Sequence, residues 1–296
     1  MATSVGLAVR LRSGTNTQEL RSAESAECRL PLNFLSGVVT LRALLQCPDI
    51  VVRMTVQDIA RIESEVAQYW GEVRYVETAS STNTELMASG EPGHVLIAEQ
   101  QTGGKGRLGR VWEAPAGASL LMSVAIELVH TDDLGLVSLA AGLAVTDVIP
   151  NAQLKWPNDV LLNGKKFVGI LGEIDTTAEI PKLVVGLGVN VAWREEDLPT
   201  DWSTALNLEG IDVDWDEFTI DLLGALGRRL EQWQDRDEAL LDDYRAVSAT
   251  IGQRVRLDTV EGIVEGIAGD VDKRGAIVVD GVSYSTGDVT HLRTSD

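Results

Sequence analysis

Gly103-Gly104-Lys105-Gly106-Arg107-Leu108-Gly109-Arg110-Val111-Trp112 is the most informative stretch of this chain. Its four glycines free the backbone to fold around a ligand, and its three cationic side chains direct positive charge toward that ligand. The indole that ends the stretch offers a flat face on which a base can stack. The stretch therefore predicts a loop that binds a phosphate ester.

Two common phosphate-binding motifs do not fit this stretch. Residues 104–109 match the bare dinucleotide pattern G-x-G-x-x-G, and residues 95–98 have the character of the strand that should precede it. A dinucleotide-binding unit needs a helix directly after the glycines, however. Pro115 and Gly117 leave no room for a crossover of at least about ten residues. The P-loop sequence G-x-x-x-x-G-K-[ST] does not occur either.

A second motif follows the loop along the chain. Residues 153–156 are typical of a short strand that Pro157 ends, so Lys155 should lie at a strand end. The dipeptide Asn163-Gly164 between two apolar runs then predicts a two-residue hairpin. This arrangement places one more cation beside a cleft.

With Ser81-Thr82-Asn83 upstream, these motifs occur in the order found in one family, and the chain resembles the biotin protein ligases. Five motifs in one order are far more specific than any one of them. The match runs from about residue 73 to the C-terminus. The matching segments are Ser81-Thr82-Asn83, Gln101 with 104–112, Lys155-Trp156-Pro157-Asn158-Asp159, Lys166 with 169–171, and Gly186-Leu187-Gly188-Val189-Asn190.

Two loop positions depart from the family pattern. Lys105 stands where the family has its first loop arginine, and Leu108 stands at a position that is often basic. A lysine keeps the positive charge but loses the bidentate fork of a guanidinium. Contacts of the Lys105 side chain are therefore expected to differ from the family pattern, whereas contacts of its backbone N–H are not.

The resemblance implies a two-step reaction. The carboxylate of biotin attacks the α-phosphorus of ATP to give biotinyl-5′-adenylate and pyrophosphate, and a lysine of a carboxylase's biotin carboxyl carrier domain then attacks the activated carbonyl. Two alternatives remain open, a lipoate-type protein ligase with the same adenylate chemistry and a non-catalytic biotin sensor. The motif at 155–159 and the full glycine loop favour biotin over lipoate. The intact Arg107 and Lys155 favour a catalytic protein over a non-catalytic sensor.

The resemblance also implies roles for individual residues. Arg107 and Lys155 are the expected catalytic pair, with Mg²⁺ shielding the phosphates of ATP. No metal ligands are assigned. Biotin is expected to contact Ser81, Thr82, Asn83, Gln101, Gly104, Lys105, Gly106, Arg107 and Lys155. ATP is expected to contact Arg107, Arg110, Trp112, Lys155, Asn158 and Asn190.

Composition excludes several classes of function. The chain has 45 acidic and 25 basic residues and a formal net charge of −20, which argues against a nucleic-acid or anionic-membrane surface. Two cysteines (Cys28 and Cys47) and three widely separated histidines (His94, His130 and His291) predict neither a disulfide framework nor a zinc site. With no apolar run of transmembrane or signal type, we expect a cytoplasmic monomer or homodimer.

The chain divides into three predicted regions. Residues 1–53 lack sustained periodicity and are expected to be a disordered or mis-started extension, with acidic residues that disfavour a transit peptide and no winged-helix DNA-binding pattern. Residues 54–247 are the expected biotin- and ATP-binding catalytic domain. Residues 248–296 have short strands and turn signals, which predict a small β-barrel, of the Src-homology-3 type in the resembled family. The predicted class is α+β, a mixed β-sheet with helices plus this barrel.

Several elements of the catalytic domain are predicted from local pattern. Thr55 with Asp58 three residues later resembles a capping box for a helix that keeps apolar spacing to Trp70. Thr82 with Glu85 opens a second helix, and apolar residues 218–233 mark one face of a long amphipathic helix. The other predicted elements are strands at 72–76, 95–98, 120–128 and 183–191 and a helix at 133–149.

Overall fold

We analysed a computed structural model, which describes residues 8–11, 50–53, 56–177 and 180–292. The predicted α+β class is confirmed, because a seven-stranded mixed sheet with helices is followed by a five-stranded antiparallel sheet. A separate antiparallel pair, β1 (Ala8–Leu11) and β2 (Ile50–Arg53), comes first. The sequence did not predict this pair. The other residues before 54, including Cys28 and Cys47, lie outside the described ranges, so the prediction of a disordered extension stays a prediction.

The seven-stranded sheet has the order β3-β4-β5-β9-β8-β7-β6. Strands β3 and β4 are parallel, and each of the other neighbouring pairs is antiparallel. The two-residue turn at Asn163-Gly164 joins β7 to β8, as predicted, with positive φ at both residues. The strands are β3 (Glu72–Ala79), β4 (His94–Gln101), β5 (Ser119–Glu127), β6 (Gln153–Lys155), β7 (Asp159–Leu162), β8 (Lys165–Asp175) and β9 (Lys182–Asn190).

Five α-helices lie in the described part of the chain. The predicted helix at 133–149 and the amphipathic helix are confirmed, and both contribute buried apolar residues to one core with the sheet. No described helix has the length and apolar character needed to cross a membrane. The helices are α1 (Ile59–Glu65), α2 (Thr82–Ser89), α3 (Gly135–Val148), α4 (Trp215–Gln234) and α5 (Ala239–Val247).

Helix α1 differs from its prediction at both ends. Asp58 is itself the N-cap, and its side chain accepts a hydrogen bond from the backbone N–H of Arg61 at 3.0 Å. Thr55 lies outside the described residues. The helix ends at Glu65, yet Val66 and Trp70 remain buried. Apolar spacing thus marked burial correctly but overestimated helix length, since a turn can bury the same side chains.

The C-terminal sheet has the order β13-β12-β11-β10-β14. Turns lie where the sequence predicted them, and Asp280 and Gly281 between β12 and β13 both have positive φ. Strands β13 and β14 were not predicted. The strands are β10 (Arg254–Thr259), β11 (Gly262–Val271), β12 (Ile277–Val279), β13 (Val282–Tyr284) and β14 (Asp288–His291).

The C-terminal sheet contacts the larger sheet near β6. The buried indole of Trp156 donates from Nε1 to the carbonyl of Gly275, at 2.9 Å, in the turn before β12. Ala249 N–H donates to the carbonyl of Leu154 at 2.8 Å, which lays the connecting segment along β6. The two sheets therefore meet where the sequence predicted a catalytic lysine.

Candidate functional site

One cavity of about 280 Å³ collects most of the predicted site residues. Its walls are the start of α2, the glycine loop, the turn between β6 and β7, the middle of β8 and β9, and the start of β14. Gly104 and Asn190 are absent from its lining. The predicted residues that line it are Ser81, Thr82, Asn83, Gln101, Lys105, Gly106, Arg107, Arg110, Trp112, Lys155 and Asn158.

The start of α2 forms the polar end of the cavity. Ser81 is the helix N-cap, and its hydroxyl accepts from the backbone N–H of Thr84 at 3.4 Å. Thr82 donates its backbone N–H to Gln101 Oε1 at 2.7 Å, and its hydroxyl lies 3.1 Å from the same oxygen. The helix expected to open at Thr82 is confirmed, but Ser81 is its N-cap, and Glu85 accepts from the backbone N–H of Ser80 rather than of Thr82. The hydroxyl and amide groups of this cluster line the cavity.

Asn83 is held from two sides. Its amide Nδ2 donates to the carbonyl of Leu171 at 3.1 Å and to Glu173 Oε2 at 2.9 Å. Its Oδ1 lies against Gly186, where an added Cβ would overlap it. The first glycine of the motif at 186–190 thus makes room for the Asn83 amide.

Ser123 is a site residue that the sequence analysis missed. It is fully buried on β5, and its Oγ lies 2.7 Å from Thr82 Oγ1 and 2.6 Å from Asn83 Oδ1. A signal existed, because this serine is the one polar residue in the apolar run 120–126. A buried hydroxyl in such a strand needs polar partners.

The glycine loop is a short hairpin. Trp112 N–H donates to Gly104 O at 2.9 Å, and Gly106 N–H donates to Arg110 O at 2.7 Å. At the tip, Leu108 has φ 56° and Gly109 has φ 75°, the left-handed pair typical of a type I′ turn. Leucine at such a position costs on the order of 1 kcal/mol or more, and its side chain is 68% exposed.

Each loop cation has a partner. Arg107 Nη1 lies 3.4 Å from both Asn158 Oδ1 and the carbonyl of Gly287, and burial lowers the pKa of its guanidinium. Arg110 is ion-paired with Asp288. Lys105 Nζ lies 3.8 Å from a carboxylate oxygen of Glu173.

Lys155 lies at the end of β6 and is partly buried. Burial lowers the pKa of its ammonium, and the charges of Lys166 and Arg110 add to this effect, whereas Asp159 opposes it. Lys166 itself is 2.6 Å from Asp159 Oδ1. The cavity thus holds five cationic side chains and two carboxylates in a strongly acidic chain. This concentration of positive charge suits a polyanionic ligand.

Trp112 rests on two glycines that face each other across β8 and β9. Gly169 and Gly188 are paired in register, and a Cβ on either would overlap the indole. Lys166 Nζ lies 5.4 Å from the ring centroid on an approach typical of a cation–π contact. Trp112 Nε1 is buried without a hydrogen-bond partner among the described residues. Trp156, the other tryptophan in the cavity lining, is buried.

The two asparagines predicted to contact ATP differ in position. Asn158 lines the cavity, and its Nδ2 donates to the carbonyl of Ile170 at 2.7 Å. Asn190 is buried away from the cavity, where Nδ2 donates to Thr204 O at 3.0 Å and Oδ1 lies 3.2 Å from Ser119 Oγ. A nucleotide contact of Asn190 stays a prediction that this geometry does not support.

Three further cavity residues were not assigned roles from the sequence. Lys166 lies beside Trp112, Asp159 neutralises Lys166, and Asp288 reaches the loop from the C-terminal sheet. The first two belong to quoted motifs. Asp288 had no local signal, because it lies 178 residues from Arg110 in sequence.

Comparisons with known proteins converge on one family. The profile of the biotin/lipoate A/B protein ligase family matches residues 59–190, which contain every predicted site residue. The biotin–[acetyl-CoA-carboxylase] ligase of Mycobacterium tuberculosis is 41% identical over 244 residues, or 76% of this chain and 90% of that protein. The bifunctional ligase/repressor BirA of Escherichia coli is 31% identical over 224 residues, or 71% of this chain and 70% of that protein.

A solved structure gives the same result for the fold. The biotin protein ligase from Aquifex aeolicus in complex with biotin and ATP has a TM-score of 0.66 and 26% sequence identity to this chain. The similarity covers 76% of this chain and 100% of that one.

Proposed function

The chain belongs to the biotin/lipoate A/B protein ligase family, and we propose that it is a biotin protein ligase. Such an enzyme activates biotin with ATP to biotinyl-5′-adenylate and transfers biotin to a lysine of a biotin carboxyl carrier domain. One observation carries the proposal: a polar pocket at the start of α2 shares a cavity with five cationic side chains. Neutral hydroxyl and amide groups suit a ureido ring, and the cations suit a triphosphate.

In this proposal the ureido ring of biotin binds at the start of α2. Gln101 fixes Thr82, and Glu173 and Leu171 fix Asn83. The hydrogen-bonding groups that remain on these two side chains are therefore oriented before the ligand arrives. Pre-oriented groups lose less conformational entropy on binding. Gly106 and Lys105 extend the biotin contacts from the loop.

Adenylation needs electrostatic stabilisation more than acid–base chemistry. Biotin's carboxylate forms a bond to the α-phosphorus while pyrophosphate leaves, so negative charge concentrates on the phosphoryl oxygens. Lys155 supplies a point charge at the α-phosphate, and Arg107 grips two oxygens with its planar fork. Partial burial of both side chains strengthens these interactions by lowering the local dielectric.

The remaining predicted residues bind the nucleotide. Arg110 faces the triphosphate, and Trp112 lies next to the adenine. Asn158 holds the turn between β6 and β7, which directly follows Lys155. The cavity carboxylates Asp159 and Asp288 are each ion-paired with a cation, so Mg²⁺ would be held mainly by the phosphates of ATP, where it would shield their charge. Mg²⁺ commonly keeps several waters and is held by substrate phosphates with only one or two carboxylates.

Transfer follows when the carrier lysine attacks the mixed anhydride and AMP leaves. The anhydride is prone to hydrolysis, so the glycine loop has to exclude water until the lysine enters. We also propose that the chain does not act as a repressor, because a net charge of −20 opposes binding to DNA. A retarded complex with operator DNA at physiological salt would contradict this.

The proposal is tested by two linked measurements on the full chain. Biotin-dependent exchange of pyrophosphate into ATP reports adenylation, and mass spectrometry of a carboxylase carrier domain reports transfer. A carrier domain whose acceptor lysine is replaced by arginine is the control. Loading with lipoate in place of biotin would identify a lipoate-type ligase, and biotin binding without exchange would identify a sensor.

A further inference from the structure

The backbone next to Lys155 is held by the segment that leads into the C-terminal sheet. Trp156 N–H donates to the hydroxyl oxygen of Thr250 at 3.1 Å, and Ala249 N–H donates to Leu154 O at 2.8 Å. Bonds to the residues on either side of Lys155 therefore fix where β6 ends. Thr250 is fully buried, so water cannot replace its bonds.

The hydroxyl of Thr250 also contacts the C-terminal sheet. Its Oγ1 lies 3.1 Å from Nε2 of His291, the last residue of β14. Because Oγ1 already accepts from Trp156 N–H, its single hydrogen is free to donate to His291. A histidine accepts at Nε2 only when the ring is neutral with its proton on Nδ1. An Nε2–H on His291 would leave the buried hydroxyl hydrogen of Thr250 without a described acceptor, so satisfying this hydrogen favours the neutral ring with its proton on Nδ1.

Protonation of His291 would disturb this arrangement in two ways. Nε2 would become a donor, leaving the buried Thr250 hydroxyl hydrogen without its acceptor. One more positive charge would also lie near Lys155, in addition to those of Lys166 and Arg110. Burial, and then the charge of Lys155, already lower the pKa of His291.

The charged groups around His291 are few. Lys155 on β6 acts on it directly. Asp288 on its own strand is ion-paired with Arg110, and Arg254 on β10 precedes Val255, the strand partner of His291. Lys155 is thus the charge that matters most for the state of this histidine.

We propose that Thr250 and His291 are positioning residues for Lys155, acting through a hydrogen-bonded chain that requires a neutral His291. The inference rests on the proposed ligase function and adds a role for the C-terminal sheet in the first half-reaction. Lys155 touches the reacting phosphate, and Thr250 and His291 act only through it. As pH falls, His291 gains a proton and adenylation slows. This decline in rate on the acid side should lie below about pH 6.5, the ordinary pKa of histidine.

Biotin-dependent pyrophosphate exchange tests this, because it reports adenylation without the carrier lysine. Thr250→Val should lower kcat about tenfold, the effect of about 1.4 kcal/mol in the barrier, with the KM for biotin unchanged. Thr250→Ser, which restores the hydroxyl, should recover most of the rate. Thr219→Val removes an equally buried hydroxyl on α4 and should have wild-type kinetics.

The pH profile is the second readout. His291→Gln keeps a neutral acceptor, so it should retain exchange at neutral pH and lose the decline in rate on the acid side. His94→Gln is the matched control, because His94 lies on β4, near the edge of the seven-stranded sheet opposite to β6. This variant should keep the wild-type decline in rate at acid pH. If His291→Gln keeps that decline, or if folded Thr250→Val exchanges at the wild-type rate, the positioning role is wrong. Absence of exchange in the wild type would instead overturn the ligase proposal itself.

Discussion

Gly188→Ala tests whether the position of the Trp112 indole, which packs against Gly188, supports nucleotide binding. A Cβ at this position would lie 2.6 Å from Trp112 Nε1 and 2.7 Å from Cζ2. Ordinary contacts between such atoms are about 3.5–4.0 Å, so the indole has to retreat by about 1 Å. Overpacking of this kind typically costs about 1–3 kcal/mol of unfolding free energy. Displacing a binding group by about 1 Å can cost on the order of 100-fold in rate.

We therefore expect Gly188→Ala to lower kcat/KM for ATP in pyrophosphate exchange by on the order of 100-fold. Biotin affinity, measured by calorimetry, should change much less. Gly172→Ala is the matched control, because the new Cβ would meet Leu183 and Val137 side chains at an ordinary 3.8 Å. A folded Gly188→Ala variant with a wild-type kcat/KM for ATP would show that Trp112 does not support the nucleotide.

Four further outcomes are expected. Lys155→Ala should reduce exchange by about 10²–10³-fold while calorimetry still detects biotin binding, and normal exchange would remove Lys155 from the catalytic pair. Because burial lowers the pKa of Lys155, the charged form is lost as pH rises, and wild-type exchange should decline below the ordinary lysine range; a flat alkaline profile would contradict this. Ser123→Ala leaves the buried Oδ1 of Asn83 without its hydrogen-bond donor, while the Thr82 hydroxyl keeps Gln101, and should weaken biotin binding roughly tenfold by calorimetry, with Ser89→Ala as an exposed control. Deleting residues 1–53 should leave exchange and thermal stability nearly unchanged, and a large loss of either would show that they support the catalytic domain.

Local sequence chemistry predicted the parts of the fold that local energetics control. Asn163-Gly164 forms the hairpin because both residues tolerate positive φ, as observed. The apolar run at 133–149 forms helix α3, and most of its residues are buried. A helix that is buried on most sides is apolar on most sides, so this run was recognisable in the sequence. Helix α1 was overextended because burial of Trp70 does not require helical backbone.

The candidate site was predictable only where its residues occur in ordered motifs. Ser81-Thr82-Asn83, the loop and Lys155 are far apart in sequence, and no local rule brings them to one cavity; the family resemblance supplied that step. Residues that act across long separations were missed, such as Asp288 beside Arg110. Ser123 was missed because an isolated serine in a strand has no motif around it.

The ion pairs inside the cavity change what the binding of ATP must accomplish. Arg110 already contacts Asp288, and Lys166 already contacts Asp159, so the free protein provides its own internal counter-ions. Phosphate oxygens that reach these cations replace carboxylates rather than solvent ions. The dependence of ATP binding on ionic strength should be shallower than that of a bare basic patch.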